Sequence, residues 1–310
     1  MSKILVTGGA GFIGSHIVDA LITQGDDVVI VDNLVTGKKE NINPRAKFVE
    51  MDINDPAIKN LFATEKFDFV FHLAAQMDVR KSVENPIFDA QTNILGGINI
   101  LENCKNFGVK KIIFSSTGGA TYGEADIVPT PEDYPQWPLS PYGISKVAFE
   151  KYVFYYHQVF GLKYVILRYG NIYGPRQNAQ GEAGVVAIFI NKILHGDQPI
   201  INGDGRQTRD YIFVADVVRA NLLALKTERV DIYNIGTGVQ TDVNEIFNLI
   251  NANLNNQAKE IHGEGKLGEQ RVSCLDASKI KRDLGWEPEV SIDLGIKQTV
   301  EWFRNRLSQI

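Results

Sequence analysis

Lys3-Ile4-Leu5-Val6-Thr7-Gly8-Gly9-Ala10-Gly11-Phe12-Ile13-Gly14 is the stretch that decides the fold. A short apolar run meets a cluster of glycines, and apolar residues then recur at Ile13, Ile17, Val18 and Leu21. The pattern reads as strand, tight turn, helix. The glycines permit the turn, let the backbone approach a pyrophosphate and let the helix pack on the strand. The phosphates then sit at the helix N-terminus. The run fits both Gly-x-Gly-x-x-Gly from Gly9 and Gly-x-x-Gly-x-x-Gly from Gly8. A second strand, Asp27–Val31, ends at Asp32. That carboxylate lies about 20 residues past the glycines, where an acid binds the adenosine ribose. It repels a 2′-phosphate, so NAD is expected rather than NADP.

Outward from this turn, strand and helix patterns alternate. Lys47–Met51 is a third strand, Pro56–Ala63 a helix, and Phe67–Leu73 a near-continuous apolar strand. Such a strand belongs to a parallel sheet buried on both faces. It runs into His72-Leu73-Ala74-Ala75-Gln76, whose small residues suit a close cofactor; His72 reads equally well as a packed strand end. A long helical pattern covers Pro86–Phe107 and contains Asn93. A fifth strand, Lys110–Ser115, leads into Ser115-Ser116-Thr117-Gly118-Gly119, and a sixth covers Lys163–Leu167. Hydroxyls at a strand's C-terminal end face the crevice where open α/β sheets bind ligands. After Asn171 the alternation loosens. The expected fold class is α/β: a Rossmann doubly wound parallel sheet with a smaller mixed α/β C-terminal substrate domain. The expected division is 1–170 for NAD, also receiving parts of 204–240, and 171–310 for the substrate.

Ser140-Pro141-Tyr142-Gly143-Ile144-Ser145-Lys146 carries the expected chemistry. Ser140 suits an N-cap and Pro141 the first helical position. Tyr142 and Lys146 then stack one turn apart on one helix face. A phenol ordinarily titrates near about 10. A neighbouring ammonium favours the phenolate and brings it toward neutrality. The pair is thus an acid–base unit for interconverting a hydroxyl and a carbonyl. The following helical face, Phe149, Tyr152, Val153 and Tyr156, is expected in the core or against a partner helix.

Composition narrows the classes. With 310 residues, 44% hydrophobic and 22% charged, the chain has the balance of a globular protein with a large core. A net charge of -5 without a basic block argues against nucleic acid as a partner. No apolar run reaches the roughly 20 residues of a membrane span, and the N-terminus reads as a strand, not a signal peptide. Two distant cysteines, Cys104 and Cys274, are expected as reduced thiols in a cytoplasmic protein. The five histidines lack metal-ligand spacing, so no metal is expected.

Four elements coincide in order: Thr7–Gly14, His72–Gln76, Ser115-Ser116-Thr117 and Tyr142-x-x-x-Lys146. Together they resemble the extended short-chain dehydrogenase/reductase superfamily, and within it the UDP-glucose (UDP-galactose) 4-epimerase family. Similarity continues in Asp32-Asn33-Leu34, Arg168–Arg176, Gly181–Val186, Arg209-Asp210-Tyr211, Tyr233–Gly236 and Leu284-Gly285-Trp286, covering nearly the whole chain.

The resemblance implies an isomerase of nucleotide-sugar and galactose metabolism. Gly8, Gly11, Phe12, Ile13 and Gly14 would hold the pyrophosphate of NAD, and Asp32, Asn33 and Gly37 its adenosine ribose. Asp52 and Ile53 would contact adenine. Leu73, Ala74, Ala75, Gln76, Asn93 and Gly170 would line the cofactor channel. Tyr142, Lys146 and Thr117 would be catalytic, with Lys146 also bonding the nicotinamide ribose. Asn171, Val185, Arg209 and the loop holding Lys266, Glu269 and Arg271 would bind UDP. The implied reaction oxidises the sugar 4-hydroxyl to a ketone and reduces it from the other face, so NAD should be tightly bound and regenerated at each turnover. A homodimer through the helices matching Pro86–Phe107 and Tyr142–Val159 is also implied.

Two departures stand out. Lys266-Leu267-Gly268-Glu269 replaces a family Arg-x-Gly-Asp, and Lys lacks the bidentate fork of Arg. Ser273 stands where a large aromatic would exclude N-acetyl sugars, so UDP-N-acetylglucosamine is an expected substrate too. Competing readings are a sugar-nucleotide 4,6-dehydratase, a UDP-glucuronate decarboxylase or epimerase, and a non-catalytic NAD sensor. The dehydratase needs an Asp-Glu pair after the Thr, and the decarboxylase typically a Glu in that region. Here Gly118-Gly119 follow Thr117. A sensor would usually lack the Tyr or the Lys.

Overall fold

Leu5 packs into the core on one side of its strand, while Ile4 and Val6 pack into a separate core on the other. A strand alternates its side chains between faces, so this sheet is covered on both. The computed structural model describes residues 1–179, 184–265 and 270–307. The chain opens with β1 (Lys3–Thr7), α1 (Phe12–Thr23), β2 (Asp27–Asp32), β3 (Lys47–Glu50), α2 (Ile58–Glu65) and β4 (Phe69–His72). There follow α3 (Val79–Glu84), α4 (Pro86–Ala90), α5 (Gly97–Asn106), β5 (Lys111–Thr117), α6 (Pro141–Phe160) and β6 (Lys163–Tyr169). Next come β7 (Asn171–Tyr173), α7 (Val185–Leu194), β8 (Ile201–Asn202), β9 (Thr208–Arg209), β10 (Tyr211–Phe213) and α8 (Val214–Lys226). The last elements are β11 (Asp231–Ile235), β12 (Thr241–Asp242), α9 (Val243–Asn253), β13 (His262–Gly263), α10 (Ser278–Leu284) and α11 (Ile292–Leu307).

Seven parallel strands form the main sheet in the order β11-β6-β5-β4-β1-β2-β3. The order reverses direction at β1, and the crevice above β1 and β4 is the topological switch point that takes ligands in such sheets. Ile17 and Leu21 of α1, Val217 of α8 and Trp286 cover one face. Phe62, Ile100, Phe149 and Val153 of α2, α5 and α6 cover the other. A third core, with Ile190, Phe247 and Phe303, joins α7, α9 and α11. Among the described residues, three two-stranded pairs, β10–β7, β12–β9 and β13–β8, lie in the C-terminal part. The main sheet takes its edge strand β11 from the C-terminal half of the chain.

One expectation needs correction. The helix expected over Pro86–Phe107 is interrupted by a π-helical turn, Gln91–Gly96. Asn93 is buried there and exchanges hydrogen bonds with the Gln76 backbone. At the adjoining Gly97 the backbone runs so close to α6 that a Cβ would lie 2.3 Å from the Phe149 ring. The aromatic face of α6 also divides. Phe149, Val153 and Tyr156 are buried, whereas Tyr152 turns outward with Phe154, Tyr155 and Val159. The helices α3 and α10 are short, and α3 is started by Asp78 accepting from the N–H groups of Arg80 and Lys81.

Candidate active site

The glycine turn is built by close approach. Gly8 has φ +74°, a left-handed conformation, and a Cβ on it would lie 2.7 Å from Ala74 N. On Gly14 a Cβ would lie 2.2 Å from Gly8 O. The N-cap of α1 is Gly11, which supplies no side-chain hydrogen bond, so no side chain caps the first turn. An uncapped helix start offers backbone N–H groups and positive potential to an anion.

Beside the turn, Asp32 accepts from Ala10 N at 3.0 Å and Leu34 N at 2.9 Å. Burial pushes its carboxyl above the ordinary carboxylate range. Gly37 lies against this carboxylate, where a Cβ would come within 2.6 Å of Asp32 Oδ1. Asn33 Nδ2 donates to Asp52 Oδ2 at 2.7 Å, bringing two expected adenosine contacts together. Ile53 is buried, with its side chain against Gly96. Gly170 has a packing reason of its own, since a Cβ there would lie 2.8 Å from Asp210 O.

His72 is held within the fold. Its Nδ1 pairs with Thr7 Oγ1 at 2.8 Å, and its ring packs against both Phe114 and Phe149. Burial pushes the imidazole down to about 3, with the Lys146 ammonium adding to the effect. Thr7 Oγ1 also accepts from Ala74 N at 3.2 Å, so the pair shapes the Leu73–Gln76 loop.

Ser140 caps α6 by accepting from Gly143 N at 3.1 Å, and Pro141 opens the helix. Lys146 is buried, with Nζ donating to Ser115 O at 2.9 Å and lying 5.9 Å from the Tyr142 ring centroid. Burial pushes the ammonium down to about 8, while the carboxylates of Asp89 and Glu150 act in the opposite sense. Gly143 backs onto the carbonyl of Ala120, where a Cβ would lie 2.4 Å away. The Tyr142 turn is therefore seated against the segment following Thr117.

Gly119 marks a meeting point. A Cβ on it would lie 3.6 Å from Asn171 Oδ1 and 3.9 Å from both Ser273 Oγ and Thr117 Oγ1. Three residues expected around the substrate, from three distant parts of the chain, thus converge. Arg209 Nη1 donates to Thr208 O at 2.8 Å. Arg271 makes a bidentate pair with Asp204, at 2.8 Å and 2.8 Å. Val185 begins α7. Lys266 and Glu269 lie outside the described residues.

A further feature lies at Arg176. Arg176 has φ +68°, pairs with Asp19 of α1 at 2.7 Å, and keeps a buried Nη1 without a partner among the described residues. Its signal was present, as an Arg following Gly174-Pro175. The open glycine turn, the uncapped α1 and the Asp32 carboxylate fit a dinucleotide diphosphate and its ribose.

These features define a dinucleotide-dependent enzyme of the extended short-chain dehydrogenase/reductase type. The chain belongs to the NAD dependent epimerase/dehydratase family, whose model matches residues 4–236. It is similar to the crystal structure of a Thermotoga maritima UDP-glucose 4-epimerase with UDP-glucose: TM-score 0.97, 50% identity, covering 98% of this chain and 99% of that one. A Thermus thermophilus UDP-glucose 4-epimerase in complex with NAD matches with TM-score 0.93 and 42% identity over 97% and 99%. A Methanobrevibacter ruminantium UDP-N-acetylglucosamine 4-epimerase matches with TM-score 0.93 and 36% identity over 100% and 99%.

Proposed function

We propose that this chain is a UDP-hexose 4-epimerase acting on UDP-glucose and UDP-galactose with a tightly held NAD. The observation that carries the reading is Tyr142 and Lys146 on one face of α6, seated against a Thr117 strand end followed by two glycines. Bound NAD would supply reversible oxidation at the sugar C4. Tyr142, as phenolate, takes the proton of the 4-hydroxyl and later returns one. Lys146 stabilises that phenolate and Thr117 hydrogen-bonds the same oxygen. No carboxylate stands at 118 or 119 to remove water from the neighbouring carbons, which favours epimerisation over dehydration. The small walls at Gly119 and Ser273 leave room for a sugar to turn while its diphosphate stays anchored, and for an N-acetyl group. Arg209 and Arg271 are the candidate diphosphate ligands.

The likeness to the two UDP-glucose 4-epimerases supports the UDP-hexose; the third relative supports the N-acetyl sugar. A homodimer fits the exposed apolar side chains Val83, Ile87, Phe88, Leu95, Phe154 and Tyr155 on the α3–α6 side. The test is product NMR on a panel of UDP-sugars, with release of NAD on denaturation. Tyr142→Phe is expected to keep its NAD and lose turnover by about 10²–10⁴-fold; near-normal turnover overturns the assignment.

A further inference from the structure

Behind the acid–base pair lies a buried ionic network that the mechanism above does not use. Glu150 is one turn beyond Lys146 on α6, and Arg168 comes from β6. Both residues are 2% exposed. The Glu150 carboxylate accepts from Arg168 Nε at 3.0 Å, Arg168 Nη2 at 2.6 Å, Ser116 Oγ at 2.6 Å and Gln136 Nε2 at 3.1 Å. Arg168 Nη1 donates to Tyr122 OH at 2.8 Å and Glu132 O at 3.0 Å. Tyr122 OH passes the chain on to Asn234 Oδ1 of β11 at 2.8 Å.

The members come from the places that must be in register for the chemistry. Ser116 adjoins Thr117 at the end of β5, Glu150 rides on the helix of Tyr142 and Lys146, and Gln136 and Glu132 belong to the loop leading into that helix. A buried ion pair adds little net stability over an apolar pair of the same shape, but breaking one side is costly. Its recognised use is to specify one arrangement. Here the arrangement specified is strand end against helix.

We propose that Glu150 and Arg168 are positioning residues for the acid–base step: their pair, tied through Ser116 to the end of β5, holds Thr117 in register with Tyr142 and balances charge around Lys146. This rests on the catalytic reading of Tyr142 and Lys146. Around Lys146 stand Asp89 of α4, Tyr142 and Glu150 of α6, His72 of β4, held neutral, and Arg168 of β6 bound to Glu150. Glu150 raises the Lys146 pKa. Removing its charge leaves Arg168 uncompensated, and both changes favour the neutral amine.

Glu150→Gln and Ser116→Ala test this in the NAD-loaded full chain. Glu150→Gln is expected to move the alkaline limb of the kcat–pH profile to lower pH and to lower kcat by about tenfold to a hundredfold with KM little changed. Ser116→Ala keeps both charges, so it should lower kcat several-fold and leave the limb in place. An unmoved limb in folded Glu150→Gln overturns the electrostatic role. Wild-type kcat in Ser116→Ala overturns the positioning role, and this variant decides alone should Glu150→Gln not fold. An active Tyr142→Phe overturns the underlying catalytic reading instead, so the two failures are distinct.

Discussion

Lys146 Nζ donates to the carbonyl oxygen of Ser115 at 2.9 Å, joining the helix that carries Tyr142 to β5 near its C-terminal end at one buried atom. With its ammonium brought down to about 8 by burial, Lys146 changes charge inside an accessible pH range. As pH rises through that value the ammonium is lost and the phenolate of Tyr142 loses its counter-charge. We expect kcat to fall on the alkaline side near pH 8, read from initial rates with UDP-galactose. A flat profile from pH 7 to about 10, where an unperturbed phenol titrates, would contradict the electrostatic pairing.

Gly118 and Gly119 are adjacent but should respond differently. A Cβ on Gly118 would lie 2.5 Å from Leu275 Cδ1, so Gly118→Ala overpacks the core side and should cost about 1–3 kcal/mol. Gly119→Ala meets only ordinary contacts at 3.6 Å and beyond and should fold normally. Gly119→Leu should fill the space shared by Thr117, Asn171 and Ser273, raising KM for the UDP-sugar while NAD stays bound. Thermal melts and steady-state kinetics separate the three.

Ser273→Tyr should narrow the same space. Turnover of UDP-N-acetylglucosamine is expected to drop well below that of UDP-glucose, with UDP-glucose largely retained. Equal losses on both sugars, followed by NMR, would place the side chain elsewhere in its effect.

Thr7→Val removes a hydroxyl that serves both His72 Nδ1 and Ala74 N. Leaving a buried polar group unpaired costs about 1–3 kcal/mol. Denaturant melts should show that loss, and weaker NAD retention should accompany it, because the Leu73–Gln76 loop loses its anchor. The imidazole itself stays neutral when folded, at about 3 against an ordinary 6.5. Its contribution is therefore complete above about 6.5 and is lost as pH falls toward about 3, since the unfolded chain takes up the proton first.

A dimer through the α3–α6 side predicts that Phe88→Arg combined with Phe154→Arg yields monomers by sedimentation, since both side chains are exposed in the single chain. Unchanged sedimentation would move the interface to another surface.

Much of the site could be read along the chain because its signals are local. The glycines, Asp32 and the Tyr142–Lys146 spacing depend on neighbours within a turn or a βα unit, where sequence order and spatial order coincide. The N-cap at Ser140 is of this kind, as is the burial of β1 on both faces. Other features depend on residues far apart in sequence. The π turn lies where the Gln76 loop and Ser145 of α6 come against Asn93, and the apolar period over Pro86–Phe107 carries no mark of that contact. Glu150 reads as an ordinary charged helical residue until β6 brings Arg168 to it. Thr117, Asn171 and Ser273 become one wall only when β5, β7 and the segment before α10 meet around Gly119. Local order along the chain was enough for the fold class, the glycine turn and the one-turn spacing of Tyr142 and Lys146. Which buried charges face Tyr142 and Lys146, and which side chains meet around Gly119, was decided by tertiary packing, because those depend on non-local contacts.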